Sequence, residues 1–372
     1  MAPLVPQGAG VGARIDALAD LLEGRGDLAG ADVRRALHAA PRHLFAPARG
    51  WCAPDGPGER HVIDRDADPD GWWAGVYADA SIVTQAADGA GDPAAGVDEA
   101  TSSLSAPGAV VAFLELLGVR AGDRVLEIGT GTGWTAALLT TLGAEVTTVE
   151  VDPRLAETAA RNLDAAGVGA RLVGGDGAAG EPGGAPYDRV HVTCGVTTVP
   201  YAWVQQTRPG GRIVLPWMPE FGDGHKVRLT VTGDGRAIGR LHGAADFMVL
   251  RAQRTVLPGA PDGEVVESVT RLDPRVVAHA GVAVAADVPD VMGGERDEGG
   301  DRWLVLADAA GTSWARCRVG AGEHAVSQAG PRRLWDEVAA ACLRWIERGR
   351  PGRSRFGMTV GPEGQDVRVR RG

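Results

Sequence analysis

Apolar and polar positions follow two different periods through the middle of the chain, from residue 106 to about residue 254. Segments in which apolar residues recur every three or four positions predict helices, whereas short apolar runs predict strands. The predicted helices are 107–117, 134–142, 153–166 and 200–207. The predicted strands are 124–128, 145–150, 170–173, 188–193, 211–215 and 226–232. Such alternation is typical of a parallel sheet with helices on both faces, so we expect a doubly wound, Rossmann-like α/β fold.

The N-terminal part of the chain has a different pattern. Residues 13–22 and 31–39 predict two short amphipathic helices that form a helical cap. Residues 48–101 contain few periodic segments and many turn formers, and 86–99 has the composition of an insertion rich in Gly, Ala and Asp. We expect a mobile loop at this insertion.

The pattern changes again after a proline-rich turn at 257–262. Short strands are predicted at 281–285, 302–307 and 312–318, followed by a helix at 332–347 and a hairpin at 356–369. Cys342 lies on the apolar stripe of that helix, so we expect it in the core. The chain is therefore predicted to have three parts, with a smaller α+β domain last: 1–105, 106–256 and 257–372.

A glycine turn follows the strand predicted at 124–128. Residues 125–134 read Val-Leu-Glu-Ile-Gly-Thr-Gly-Thr-Gly-Trp. The dinucleotide fingerprint G-x-G-x-x-G needs its third glycine where Trp134 stands, which argues against NAD and for S-adenosylmethionine. Glycine allows the backbone to turn tightly and to approach a ligand closely. The residues expected to contact the cofactor here are Glu127, Gly129, Thr130, Gly131, Gly133 and Trp134.

Acidic residues stand at the ends of the next two predicted strands. Glu150 is placed to accept hydrogen bonds from both ribose hydroxyls, and Asp176 to accept one from the exocyclic amine of adenine. Their neighbours Val151 and Gly177 complete the expected cofactor site. The alternative is that Glu150 and Asp176 are helix caps or solvated turn residues. Their order along the chain favours cofactor binding.

Composition narrows the class of protein. The 372 residues are 44% apolar and 23% charged, which is typical of a globular enzyme. A net charge of −10 disfavours nonspecific binding to nucleic acid or to an anionic membrane. The four cysteines are far apart and form no C-x-x-C pair, so we expect reduced thiols and no metal site. No targeting signal is seen at either end, and we expect a cytoplasmic protein.

Six short segments, taken in order, resemble the protein-L-isoaspartate O-methyltransferase family over roughly residues 30–254. They are Pro-Arg-His-Leu-Phe-Ala-Pro at 41–47, Tyr-Ala-Asp at 77–79, Ser-Leu-Ser-Ala-Pro at 103–107, Leu-Glu-Ile-Gly-Thr-Gly-Thr-Gly at 126–133, Gly-Asp-Gly at 175–177 and Ala-Pro-Tyr-Asp at 185–188. The Ser-Leu-Ser-Ala-Pro segment is the most diagnostic of them. The resemblance implies a class I methyltransferase sheet that binds S-adenosylmethionine.

By the same resemblance, Ser105 is the active-site serine and borders both the cofactor and the substrate carboxylate. Ser103, Leu104 and Ala106 then line the same junction. Ser105 also stands where a helix N-cap is expected, before Ala-Pro and an apolar helix, and the two roles are compatible. We assign His43, in the first segment, to packing.

The reaction implied by the resemblance explains why no conspicuous acid–base pair is seen. A peptide carboxylate is already ionised at neutral pH, so it attacks the sulfonium methyl group without a general base. Catalysis then consists mainly of placing oxygen, methyl and sulfur in line and of excluding water.

Three departures from the family pattern bear on the substrate. Gly108 stands where repair enzymes commonly carry histidine, the 86–99 segment interrupts the substrate-side loop, and the chain continues beyond the family core. Homologues with such extensions resemble methyltransferases of ribosomally made, modified peptides. We therefore expect an L-aspartate of a precursor peptide to be esterified and then to close to an aspartimide, which can open to isoaspartate. The alternatives are repair of isoaspartyl residues in damaged proteins and a non-catalytic cofactor-binding peptide partner.

Overall fold

The computed structural model describes residues 10–96, 100–261 and 263–370. Its contacts divide the chain into two compact units. Unit 1 comprises Met1–Cys194, Pro200–Leu215 and Thr230–Gly235, and unit 2 comprises Gly195–Val199, Pro216–Leu229 and Arg236–Gly372. The units are discontinuous in sequence, so the predicted boundaries at 105 and 256 stay predictions.

The helices and strands of the described residues are as follows. The α-helices are α1 (Val11–Arg25), α2 (Ala31–Ala39), α3 (Pro69–Val76), α4 (Pro107–Leu117), α5 (Trp134–Thr141), α6 (Pro153–Ala166), α7 (Tyr201–Gln205), α8 (Pro274–His279), α9 (Gly281–Asp287) and α10 (Leu334–Glu347). The strands are β1 (Arg49–Pro54), β2 (His61–Asp64), β3 (Ala80–Ala86), β4 (Ala100–Leu104), β5 (Arg124–Ile128), β6 (Glu145–Glu150), β7 (Arg171–Gly174), β8 (Tyr187–Val192), β9 (Thr207–Trp217), β10 (Gly224–Val231), β11 (Ala237–Ala245), β12 (Val265–Thr270), β13 (Val291–Glu298), β14 (Asp301–Asp308), β15 (Trp314–Val319), β16 (His324–Ala329), β17 (Phe356–Gly361) and β18 (Gly364–Val369).

Unit 1 contains the predicted parallel sheet. Its strands run in the order β9-β8-β5-β6-β7, and neighbouring strands pair in parallel. Helices α4, α5 and α6 pack against these strands. The side chains of Leu126 and Val190, on the two central strands, are fully buried. The doubly wound α/β fold is confirmed.

The local sequence explains where these helices begin and end. Pro107 opens α4, because its fixed φ suits the first helical turn, and Gly118 closes that helix at a φ of 60°. Asp152 caps α6 by accepting hydrogen bonds from two N–H groups of the first turn. Both helices therefore start at the residue that the pattern predicted.

A second sheet in unit 1 was not predicted. Strands β2, β1, β3 and β4 pair in that order, all antiparallel, within the segment that the pattern left without regular elements. The expected mobile insertion at 86–99 is described only as far as residue 96, and 97–99 lie outside the described residues. Its described part is tied to β1, because the Trp51 N–H donates to Pro93 O at 3.1 Å and Arg49 pairs with Asp92 at 3.2 Å.

Unit 2 is an α+β arrangement. Strands β12-β16-β15-β14-β13 form an antiparallel sheet, and a second group runs in the order β18-β17-β11-β10. Helices α8, α9 and α10 contact one another, and α10 packs on β14, β15 and β16. Cys342 is fully buried on α10, which confirms the predicted core position.

One element of unit 2 contradicts the prediction. Residues 281–285 were expected to form a strand but lie in helix α9. The alternation of valine and alanine there has the period of a strand, yet the small buried residues Gly281, Ala283 and Ala285 suit close packing of a helix, and α9 contacts α10. Tertiary packing therefore overrides the local pattern.

None of the helices in the described part of the chain combines the length and the hydropathy that a membrane span requires. Over the same ranges, no group of three His, Cys, Asp or Glu side chains is arranged to hold a metal ion. The four cysteines are free thiols, and Cys52, Cys317 and Cys342 are buried.

Candidate active site

The glycine turn after β5 has a backbone that only glycine adopts easily. Gly129, Gly131 and Gly133 have φ angles of 89°, 54° and 87°. A Cβ atom on Gly129 would lie 2.6 Å from Thr193 Oγ1, so this position also lacks room for a side chain. A Cβ on Gly133 would lie 3.2 Å from Leu163, on helix α6. The turn is thus held between β8 and α6.

Glu127 is fully buried on β5 below this turn. Thr148 Oγ1 donates to Glu127 Oε2 at 2.6 Å, and Thr148 Oγ1 lies 2.6 Å from Thr130 Oγ1. Burial raises the pKa of Glu127 to about 8, and the Glu150 carboxylate acts in the same direction. Glu127 Oε1 is buried and has no hydrogen-bond partner among the described residues. An orphaned buried acceptor is costly, which points to a donor supplied by a ligand.

Glu150 ends β6 and joins the glycine turn to the start of α6. Its Oε2 accepts a hydrogen bond from the Gly131 N–H at 2.9 Å, and its Oε1 accepts one from the Asp152 N–H at 3.0 Å. Asp152, rather than Glu150, is the cap of α6. Each Glu150 oxygen keeps a second lone pair, so the carboxylate can still accept hydrogen bonds from two hydroxyl groups.

Asp176 and Gly177 follow β7, the strand beside β6. Asp176 Oδ1 accepts a hydrogen bond from the Ala178 N–H at 2.9 Å and caps a short 3-10 turn, so the capping alternative holds for this residue. Its side chain is exposed, and its other oxygen is available to a ligand. Val151 is 40% exposed directly after β6, where an apolar side chain suits an adenine ring.

Strand β4 leads to Ser105 and passes close to the glycine turn. A Cβ on Gly131 would lie 3.9 Å from Ser102 Oγ and from Ser103 O, so Ser103 is beside the expected cofactor site. Leu104 and Ala106 are buried on either side of Ser105. The segment that leads to Ser105 thus lies beside the glycine turn, although the two are about 30 residues apart in the sequence.

Ser105 is not the cap of α4. The N-cap position is Ala106, and no side chain caps that helix. Within the described ranges, the Ser105 hydroxyl has no hydrogen-bond partner, and the residue is partly exposed. The hydroxyl is therefore available to orient a substrate.

Arg42 is the residue that sequence reasoning missed. It is 1% exposed, and its guanidinium donates hydrogen bonds to backbone carbonyls of two separate segments. The acceptors are Val76 O at 2.5 Å, Ala78 O at 3.5 Å, Ala80 O at 2.8 Å, Leu104 O at 3.2 Å and Ser105 O at 2.9 Å. Burial lowers the pKa of Arg42 to about 10, so it remains charged at neutral pH. Arg42 thereby fixes the backbone at Ser105. In the sequence it stood out only as part of the Pro-Arg-His-Leu-Phe-Ala-Pro segment at 41–47, to which no site role was assigned.

Trp134 was expected to contact the cofactor, but its side chain packs elsewhere. The ring is 2% exposed, and its Nε1 donates to Ala40 O at 3.0 Å. The Arg42 guanidinium lies 5.3 Å from the ring centroid, in a cation–π contact. The side chain of Trp134 thus supports Arg42, and the assignment of that side chain to the cofactor is corrected.

His43 lies in an aromatic cluster. Its Nδ1 is 2.7 Å from Tyr77 Oη, and its ring centroid is 5.0 Å from that of Trp73. Burial lowers the pKa of His43, which favours the neutral ring. These contacts agree with its assignment to packing.

Gly108 lies against a carboxylate. The Gly108 N–H donates to Asp79 Oδ1 at 2.7 Å, and Arg25 pairs with Asp79 Oδ2 at 2.7 Å. A Cβ on Gly108 would lie 2.8 Å from Asp79 Oδ2. A histidine at this position is therefore incompatible with the present placement of Asp79.

Together these residues fit S-adenosylmethionine. Glu127 Oε1 suits the ammonium group of the methionine part, Glu150 the ribose hydroxyls, and Asp176 with Val151 the adenine. Ser105 directly follows β4, the strand that passes beside the turn, so a carboxylate held by it is expected to face the methyl group.

Comparison with known proteins points to one family. The family model for protein-L-isoaspartate(D-aspartate) O-methyltransferase (PCMT) matches residues 90–249. A protein-L-isoaspartate O-methyltransferase of Methylorubrum populi is 40% identical over 151 residues, covering 41% of this chain and 71% of the relative. One of Methanopyrus kandleri is 40% identical over 156 residues, covering 40% of this chain and 67% of the relative.

A solved structure titled protein-L-isoaspartate O-methyltransferase has a similar fold, with a TM-score of 0.56 and 21% sequence identity. The match covers 95% of this chain and 99% of that chain. The similarity in fold therefore includes the C-terminal part of this chain.

Proposed function

The chain belongs to the protein-L-isoaspartate O-methyltransferase family, and we propose that it uses S-adenosylmethionine to esterify the side-chain carboxylate of a specific aspartate in a ribosomally made precursor peptide. The main support for methyl transfer is the short distance between the glycine turn and strand β4, which leads to Ser105. The proposed substrate rests on the departures from the family pattern, above all at Gly108.

The roles of the residues follow from the chemistry. Bound S-adenosylmethionine supplies a methyl group on a positively charged sulfur. The substrate carboxylate oxygen forms a bond to that methyl carbon as the carbon–sulfur bond breaks, and no proton needs to move. Ser105 donates a hydrogen bond that orients the carboxylate, and Arg42 holds the Ser105 backbone in place. Positioning is the main contribution expected of such a site.

The ester then reacts within the peptide. The backbone nitrogen that follows the aspartate attacks the ester carbonyl, its proton is lost, and methanol leaves, which gives an aspartimide. Water can open this ring to isoaspartate. Neither step needs a group from the enzyme, so the persistent product depends on the conformation of the peptide.

Repair of isoaspartyl residues is the second candidate. It is favoured by the names of the relatives and by the solved structure of the same name, whose fold likeness includes the C-terminal part. A non-catalytic role is disfavoured, because the glycine turn is intact and Glu150 is present.

Intact mass spectrometry separates these functions. Matched peptides with Asp or isoAsp, and a precursor peptide encoded beside the gene, are incubated with S-adenosylmethionine. The proposal predicts a gain of about 14 Da and then a net loss of about 18 Da on the Asp precursor alone, from positioned methyl transfer and ring closure. Methylation restricted to the isoAsp peptide would instead establish repair, and no methylation of any peptide would favour the non-catalytic role.

A further inference from the structure

A groove of about 660 Å³ lies entirely within unit 2. Helices α9 and α10 form one side, and β18 with the start of β17 forms the other. Trp345, Phe356 and Val367 supply buried apolar surface. Arg348 and Arg370 line the same groove and are exposed. We call it the basic groove.

The charges of the basic groove are unevenly compensated. Asp287 pairs with Arg344 at 2.8 Å, and Asp366 pairs with Arg368 at 2.8 Å, so both lining carboxylates already have partners. Arg348 and Arg370 have no carboxylate partner within the described ranges. These two exposed guanidinium groups, which share one groove, can pair with a ligand that brings carboxylates.

The backbone beside these arginines is also suited to a peptide. β18 is the last strand of its sheet and pairs with β17 alone among the described strands. An edge strand leaves the N–H and C=O groups of alternate residues without a strand partner. An extended peptide can form backbone hydrogen bonds with such groups, and its side chains can then enter neighbouring pockets. β18 has six residues, a length of about 20 Å.

We propose that the basic groove binds an extended acidic segment of the substrate peptide, outside the residue that is methylated. The inference rests on the proposed function for the source of the peptide. Peptide docking there contributes binding energy without contacting the reacting atoms, so its loss raises KM for the peptide and leaves kcat unchanged.

Fluorescence anisotropy of a labelled peptide tests the groove directly. The probe is a six-residue peptide of alternating Glu and Thr, which matches β18 in length. The variants are Arg348→Gln with Arg370→Gln, and Arg348→Glu with Arg370→Glu. The control is Arg296→Glu, which reverses an exposed arginine of β13 outside the groove. We expect the double glutamine variant, called the neutral pair, to weaken peptide binding about tenfold. The double glutamate variant is expected to weaken it further, and the Arg296→Glu control to bind the peptide as wild type does.

Equal affinity of all variants would overturn the inference, as would equal binding of a Lys-Thr peptide of the same length. Binding of an oligothymidylate that responds to the same variants would assign the groove to nucleic acid instead. Because anisotropy requires no methyl transfer, these results are independent of the proposed function. If the precursor is methylated, the neutral pair is expected to raise its KM with kcat unchanged, and an unchanged KM would contradict the inference alone.

Discussion

Replacement of Arg42 by lysine tests whether this buried side chain positions Ser105. The guanidinium makes four hydrogen bonds of 3.2 Å or less to carbonyls, including those of Leu104 and Ser105. A lysine ammonium is a single point that cannot reach all of these carbonyls, so we expect one or two to be left unsatisfied. Each buried unsatisfied group costs about 1–3 kcal/mol, so one or two of them are expected to lower the free energy of unfolding by about 1–6 kcal/mol.

Activity is expected to fall as well, for a separate reason. Loss of the anchor at Ser105 lets the β4–α4 connection shift, and a displacement of about 1 Å near the reacting atoms can lower the rate roughly a hundredfold. Urea unfolding measures the first effect. Steady-state methyl transfer, at a temperature where the variant is folded, measures the second, and we expect kcat to fall more than KM for S-adenosylmethionine rises.

Arg189→Lys is the matched control. Arg189 is also buried in unit 1, where it pairs with Asp123 at 3.3 Å and donates to Gly118 O at 3.4 Å. Its loss is expected to destabilise the protein without lowering kcat. If Arg42→Lys kept the wild-type kcat, or if both variants lost kcat equally, Arg42 would be a stabilising residue and not a positioning residue.

Four further changes test the site. Ser105→Ala is expected to lower kcat about tenfold or more while the free energy of unfolding changes by less than about 0.5 kcal/mol, because its hydroxyl has no partner in the described structure; wild-type turnover would contradict its role. Glu150→Gln is expected to raise the Kd for S-adenosylhomocysteine about tenfold in titration calorimetry, and an unchanged Kd would exclude it from the ribose site. Gly108→His is expected to displace Asp79 and to lower the free energy of unfolding by about 1–3 kcal/mol, so a variant as stable as wild type would refute that packing. Burial raises the pKa of Glu127 from 4.5 to about 8, so the folded protein holds this proton more tightly than the unfolded chain does. The resulting contribution to the free energy of unfolding is fully present below pH 4.5 and is lost as the pH rises towards 8. Glu127→Gln cannot ionise, so its free energy of unfolding is expected to lack this decrease between pH 4.5 and 8. The same pH dependence of unfolding in wild type and variant would argue against a raised pKa for Glu127.

Much of the fold was predictable because local signals and tertiary packing agree. Helix α6 begins after a capping Asp152 with proline at its first position, and it ends before Gly167 in a left-handed conformation. Those signals are readable in the sequence. Strand β12 is exposed along most of its length and shows no core-facing period, and its β-branched residues alone did not identify it as a strand. Helix α9 was misread because its valines alternate with alanines.

In the candidate site, too, some residues could be identified from the sequence and others only from the folded chain. Glu127 and Glu150 lie near the carboxyl ends of β5 and β6, and Asp176 follows β7, so their placement at one edge of the parallel sheet was predictable from its topology. The role of Arg42 did not, because its acceptors come from residues near 76–80 and from 104–105, which only the folded chain brings together. An arginine in a turn is ordinarily expected to be solvated. The packing of Trp134 against it was hidden for the same reason.

The chemical nature of the methylated product tests carboxyl methyl transfer most directly. Peptides with Asp and with isoAsp are incubated with methyl-labelled S-adenosylmethionine and then exposed to mild base, because a carboxyl methyl ester releases methanol whereas N- and S-methyl groups remain bound. Carboxyl methyl transfer predicts labelled methanol from the wild-type reaction, released either by ring closure or by base, and much less of it with Ser105→Ala. Label that stays on the peptide after base, or no labelled methanol from either peptide before or after base, would contradict carboxyl methyl transfer at this site.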